Sequence, residues 1–232
     1  VAEQGSYKAA PVAIDPDRLA TTFADLGLGV PASVTELIGG NARSFRIDRV
    51  DGPPLVLKAF NDAVPYATGK ETYASQLLRD LDVPITRFLA SDETRTRLPF
   101  RYTIANYLPG RQVMTFKDEP DVGDLYRQMG EMLRKLHTVP VLGYGAFDTD
   151  GLLDPVPTNT EYMNRRFTHA IDRFRHFGGD EALAQKLETI FAANADVMTE
   201  SNGAVFAHDD FQPHNVLAER GADGRLHLTG LL

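Results

Sequence analysis

Strand-like runs crowd the N-terminal part of the chain, and helical periods fill most of the rest. Residues 1–16 show no period and read as a tail, and Asp17 to Leu28 reads as a short helix ended by Gly27 and Gly29. Ser33 to Ile38 and Ser44 to Val50 predict strands around the turn Gly39-Gly-Asn-Ala-Arg43, and Leu55 to Phe60 continues the β-rich block after Asp51-Gly-Pro-Pro54. From Lys70 to Leu81 the period changes. Tyr73, Ala74, Leu77, Leu78 and Leu81 share one helical face, and Val83-Pro84 stops the run. Strands follow at Thr86 to Ala90 and Phe100 to Tyr107, and Leu108-Pro-Gly110 marks a break.

Beyond the break, three apolar stripes at helical spacing read as core. They are Leu125, Met129, Met132, Leu133 and Leu136; then Met163, Phe167, Ile171 and Phe174; then Leu183, Leu187, Ile190, Phe191 and Met198. Between them Gly143 to Asn159, rich in Gly, Pro and Asp, reads as a long surface loop, and short strands are expected after His208. The pattern predicts an α+β, bilobal fold. An antiparallel sheet with one inserted helix occupies residues 1–108, and a mainly helical lobe occupies 109–232.

Composition narrows the classes. At 232 residues, 43% hydrophobic and 24% charged, the chain has the balance of a globular protein with a substantial core. No apolar run is long enough for a membrane span, and the first residues lack a secretory pattern. The net charge of −8 argues against nucleic acid as a partner and suits a cationic small molecule. With no cysteine, thiolate chemistry is excluded, and a reducing compartment, the cytoplasm, is expected.

The chemistry concentrates in Phe206-Ala-His-Asp-Asp-Phe-Gln-Pro-His-Asn-Val-Leu217. His208, Asp210 and Asn215 have the H-x-D-x-x-x-x-N spacing of a phosphoryl-transfer loop, in which a carboxylate orients an attacking hydroxyl and an asparagine carbonyl meets a metal. His208 would brace the loop, which the apolar flanks Ala204 to Ala207 and Val216-Leu217 set between buried strands. Two other readings are a polar surface turn and a transition-metal cluster of His208, Asp209, Asp210 and His214. Upstream, Lys58 lies among apolar neighbours and could reach nucleotide phosphates; alone, it reads as a solvated lysine on an edge strand. Glu71 could pair with Lys58, or it is simply a carboxylate in the first turn of its helix. Gly39 and Gly40 would let backbone N–H groups approach phosphates. These features arrive in the order that a kinase needs.

In Leu37 to Ile47, Val56-Leu-Lys58, Glu71 with its helix to Pro84, Tyr107-Leu-Pro-Gly110, Met132 to His137 and His208 to Leu217, the sequence resembles the aminoglycoside phosphotransferase and choline kinase-like family, of protein-kinase-like fold. The resemblance spans most of residues 34–232 and is most specific at His208 to Leu217. It implies ATP or GTP bound at Gly39, Gly40, Asn41, Ser44, Lys58 and Glu71, with backbone between Ala105 and Leu108, including Asn106 and Leu108, meeting the base. It also implies Asp210 as base, Asn215 as a ligand of Mg2+ and His208 as loop support. Asp209 stands where relatives commonly have glycine, and His214 where glycine often precedes the asparagine. A metal-holding aspartate follows an apolar pair in relatives. Here that pair is Leu231-Leu232, so full activity is expected of a longer chain.

The expected activity is transfer of a γ-phosphate to a hydroxyl of a small cationic acceptor of aminoglycoside type. A choline, homoserine or sugar kinase is a close variant, and a pseudokinase-like nucleotide binder and a metal-dependent hydrolase are the other classes. Acidic residues between Asp148 and Glu161 would suit an amine-rich acceptor.

Overall fold

The computed structural model describes residues 12–37, 42–60 and 67–232. Contacts gather the chain into two compact units, one of residues 1–135, 148–150 and 208–232, the other of 136–147 and 151–207. The expected lobes, 1–108 and 109–232, divide the chain elsewhere, because the helix after the hinge and the loop at His208 group with the N-terminal sheet.

That sheet has five strands, β1 (Pro31–Leu37), β2 (Arg43–Arg49), β3 (Leu55–Phe60), β4 (Phe88–Asp92) and β5 (Arg101–Asn106), in the antiparallel order β1-β2-β3-β5-β4. Alternation decides its faces. Phe45, Ile47, Leu55, Leu57, Tyr102 and Ile104 all point to one side. There they meet Leu19 and Phe23 of α1 (Pro16–Asp25), whose first N–H groups are capped by the Asp15 carboxylate. The opposite face carries Ser44, Lys58 and Thr103 in one row, since Ser44 pairs with Lys58 and Lys58 with Thr103. Inserted helix α2 (Ala67–Leu77) packs on β4 and β5. It starts before the expected Lys70 and stops at Leu77, leaving Leu78 and Leu81 in turns.

After the short β6 (Arg111–Gln112) comes α3 (Val122–Leu136). Its stripe is core as expected: Leu125, Met129, Met132 and Leu136 are buried. In the second unit, the expected loop 143–159 is instead a hairpin of β7 (Tyr144–Phe147) and β8 (Leu152–Val156). The β-formers Tyr144, Phe147, Leu152 and Val156 outweigh the glycines and prolines, and Tyr144 pairs with Val156, Phe147 with Leu152. Helices α4 (Asn159–His176) and α5 (Glu181–Ala193) follow, capped by Thr158 and Asp180.

The other two stripes are core only in part. Ile171 and Met198 are buried, whereas Met163, Leu183, Leu187 and Ile190 are exposed. The reason is how α5 is turned. Phe191 stacks on Phe167 at 3.9 Å, and Arg175 of α4 binds both Glu181 and Glu188. The face of Ala184, Glu188 and Phe191 is thereby committed to α4, and Leu183, Leu187 and Ile190 are left beside it.

The chain returns to the first unit at His208. Ahead of it the expected strand over 204–207 is reduced to one bridge, Val205 to Pro140, with Phe206 buried beside it. Behind the loop, β9 (Val216–Arg220) and β10 (Leu226–Leu231) join β6 in a second antiparallel sheet of order β10-β9-β6. Strand β10 also reaches the segment after α2. Leu231 N–H donates to the Pro84 carbonyl, and its own carbonyl accepts from Thr86 N–H.

Candidate functional site

Lys58 sits on β3, between β2 and β5, so it is not an edge lysine. The period-2 alternation that buries Leu57 and Ala59 in the core turns Lys58 to the opposite face. There its ammonium makes an ion pair with Oε1 of Glu71 and lies 5.4 Å from the centre of the Phe60 ring. Since α2 begins at Ala67, Glu71 lies beyond the first turn, and stabilisation of the helix terminus does not account for it. Its second oxygen, Oε2, is buried and unpartnered among the described residues. Ser44 is the register neighbour of Lys58. Gly39, Gly40 and Asn41 lie outside the described residues.

The hinge follows β5. The Asn106 N–H donates to the Arg87 carbonyl and its side chain accepts the Arg87 N–H. Asn106 thus closes the sheet edge against Arg87 through its N–H and its side-chain oxygen. Tyr107 N–H goes to Pro54, whereas the Leu108 backbone has no hydrogen-bond partner among the described residues. Leu108 is pressed against β10, where a Cβ on Gly230 would meet it at 2.7 Å. The Thr229 hydroxyl holds the Pro109 carbonyl at 2.6 Å. Gly110, at φ +103°, passes so close to the Ala218 carbonyl that a side chain would collide with it.

In the loop, the Asn215 amide donates to the Asp210 carboxylate at 2.7 Å and to its carbonyl at 2.9 Å. Gln212 donates to the other carboxylate oxygen at 2.6 Å. Asp210 itself is exposed. With its amide nitrogen committed, Asn215 keeps its side-chain carbonyl for another ligand. His208 donates from Nε2 to the Leu232 carbonyl at 3.1 Å, and Asn215's own carbonyl accepts from Leu232 N–H. Both ends of the loop thus hang on the end of β10. Asp209 has φ +63°, the left-handed region that a glycine enters freely, so the aspartate takes the backbone shape expected of a glycine. His214 has no such φ and is exposed.

Two sets are thereby assembled in the first unit: Ser44 and Lys58 on the sheet with Glu71 of α2, and His208, Asp210 and Asn215 on the loop. Gln212 escaped the sequence reading because an amide two residues from a carboxylate carries no spacing signal. Among the described residues no cluster of three or more His, Asp or Glu could hold a metal, so the cluster of His208, Asp209, Asp210 and His214 does not form. The acidic hairpin is also less available than its composition suggests, since Arg165 binds both Asp154 and Glu161. No helix among the described residues is long and apolar enough to cross a membrane.

A family model described as the phosphotransferase enzyme family matches residues 34–232. A comparison with curated proteins gives no match. Among solved structures, a thermostable mutant of aminoglycoside phosphotransferase APH(4)-Ia, in ternary complex with AMP-PNP and hygromycin B, superposes with a TM-score of 0.65 at 17% identity, over 94% of this chain and 69% of that one. A candidate fructosamine-3-kinase from Thermobifida fusca gives 0.64 at 19%, over 92% and 72%. The GDP and kanamycin complex of APH(2")-IIia gives 0.62 at 15%, over 94% and 71%. These likenesses establish the fold, an antiparallel sheet followed by a helical region in the protein-kinase-like manner.

Proposed function

The chain belongs to the phosphotransferase enzyme family, and on that premise we propose that it moves the γ-phosphate of ATP or GTP to a hydroxyl of a small cationic molecule of aminoglycoside type. The observation that carries the reading is the loop in which Asn215 and Gln212 hold the Asp210 carboxylate from both sides. A carboxylate so fixed, yet exposed, is positioned to accept the proton of an acceptor hydroxyl. The hydroxyl oxygen attacks the γ-phosphorus, the bond to the β-phosphate oxygen breaks, and a nucleoside diphosphate leaves.

Other residues take binding roles. Lys58, kept upright by Glu71, neutralises the α- and β-phosphates, and the free backbone of Leu108 meets the base. The uncommitted carbonyl of Asn215 is one oxygen ligand of the kind that Mg2+ takes, and it would hold the ion together with the nucleotide phosphates. When bound, Mg2+ would supply neutralisation of phosphate charge. His208 keeps the loop seated on β10. The cationic acceptor is supported by the net charge of −8 and by the neighbours solved with hygromycin B and kanamycin. A small-metabolite kinase is the second reading, favoured by the likeness to the candidate fructosamine-3-kinase.

The test is nucleotide consumption with Mg2+ over a panel of aminoglycosides, sugars and amino alcohols. Turnover is expected only with an acceptor present, and Asp210→Ala should lower kcat by about 10²–10⁴-fold while nucleotide binding persists. Undiminished turnover in that variant would sink the assignment. Nucleotide binding without turnover for any acceptor would point to a non-catalytic binder.

A further inference from the structure

Two oxygens on the Lys58 face of the sheet are buried without a hydrogen-bond partner among the described residues: Oε2 of Glu71 and Oγ1 of Thr103. Thr103 is the direct register partner of Lys58 on β5, so the two side chains rise side by side from the same face, with Cβ atoms about 5 Å apart. Its neighbours Tyr102 and Ile104 belong to the core on the opposite face. At 1% exposure Thr103 is closed off from solvent. Helix α2, which carries Glu71, packs on β4 and β5.

A threonine in a strand needs no function, since β-branched residues suit the pleat. Valine, however, would fill the same volume without burying a hydroxyl that lacks a partner. Buried Thr68, in contrast, gives its hydroxyl to Glu93. The two orphans on the Lys58 face are also chemically complementary, since a hydroxyl can donate and a carboxylate oxygen can only accept. Glu71 has a specific need for a second contact. Its last torsion is soft, so a carboxylate held through Oε1 alone can swing when phosphates draw Lys58 away.

We propose that Thr103 is a positioning residue of the phosphotransfer site, its hydroxyl donating to Oε2 of Glu71 across one buried water, so that the carboxylate keeps its plane while Lys58 engages phosphate. The role rests on the reading of Lys58 as the phosphate-binding lysine. Ser91, the register partner of Thr103 on β4, continues the polar row and stands on the far side of Thr103 from Lys58.

The experiment compares Thr103→Val and Thr103→Ser with the wild-type chain, using the Glu71 carboxylate carbon resonance and the dissociation constant of MgATP. Thermal melting verifies that each variant is folded. Thr103→Val should move the resonance and weaken MgATP binding by about tenfold, as expected for loss of one hydrogen bond to a charged group. Thr103→Ser should restore both. An unmoved resonance and an unchanged affinity in folded Thr103→Val overturn the proposal, as does a Thr103→Ser variant that behaves like valine. If the wild-type chain binds no MgATP, the phosphotransfer reading fails, and the resonance alone still decides whether Thr103 holds Glu71.

Discussion

Asp209 shows how a single residue can depart from a pattern without changing the backbone. Its φ of +63° is one that a glycine enters freely, and aspartate is among the few side chains that enter this region with modest strain. Asp209→Ala should therefore be less stable than Asp209→Gly by about 1 kcal/mol, measured by urea denaturation, because alanine pays the left-handed penalty without a polar side chain to offset it. Equal stabilities would mean that the loop relaxes out of this conformation. At this scale the sequence marks the loop more clearly than the sheet. The spacing of His208, Asp210 and Asn215 marks the loop, whereas Lys58, taken alone, reads as a solvated lysine on an edge strand. What sequence could not show was which partners complete them. Gln212 at the Asp210 carboxylate and Thr103 beside Lys58 depend on a turn and on a strand register, neither of which leaves a motif. The pairing of Asn106 with Arg87, through its N–H and side-chain oxygen, likewise leaves no motif.

Among the elements, periodicity gave the sheet and α3 closely, and it misjudged α5. Both helices have apolar stripes, but a stripe reports amphipathicity and not what lies opposite it. In α3, Leu125 is fully buried. In α5, Leu187 is 36% exposed, because Phe191 and Glu188 on the adjacent face take the contact with α4. Leu125→Ala should cost about 2–5 kcal/mol in chemical denaturation, and Leu187→Ala about 0.5 kcal/mol or less. A large loss at Leu187 would show that the α5 face is covered in solution. The hairpin of β7 and β8 was hidden for a related reason. Glycine, proline and aspartate signal turns, yet four β-formers at paired positions sufficed to make strands around them.

For the molecule as a whole, carboxylates set the response to acid. The guanidiniums of Arg46, Arg220 and Arg175 hold Asp48, Asp121, Glu181 and Glu188 below the usual carboxylate range. Asp223 is held low by the N–H of Arg225 and by His227. At Asp92, burial pushes upward, but the Thr94 hydroxyl and N–H outweigh it. A carboxylate lowered on folding stabilises the folded state fully above its unfolded pKa and loses that contribution as pH falls through the folded value. The melting temperature should thus be nearly flat from neutrality to about pH 5 and fall progressively below about pH 4.5. A decline beginning near neutrality would contradict this assignment. The division of the chain was the least legible level, because it depends on β10 linking places far apart in sequence. The Thr86 hydroxyl contacts the Leu231 carbonyl across 145 residues of chain. Loop closure over such a distance is slow, whereas α3 and the β2–β3 hairpin need only local contacts. The β2–β3 hairpin can therefore form early in folding and remain incompetent, whereas β5 must close on β3 across the inserted α2. Seating of the Asp210 loop and the hinge requires β10, so acquisition of the site is expected as a late kinetic event, separable from formation of the β2–β3 hairpin.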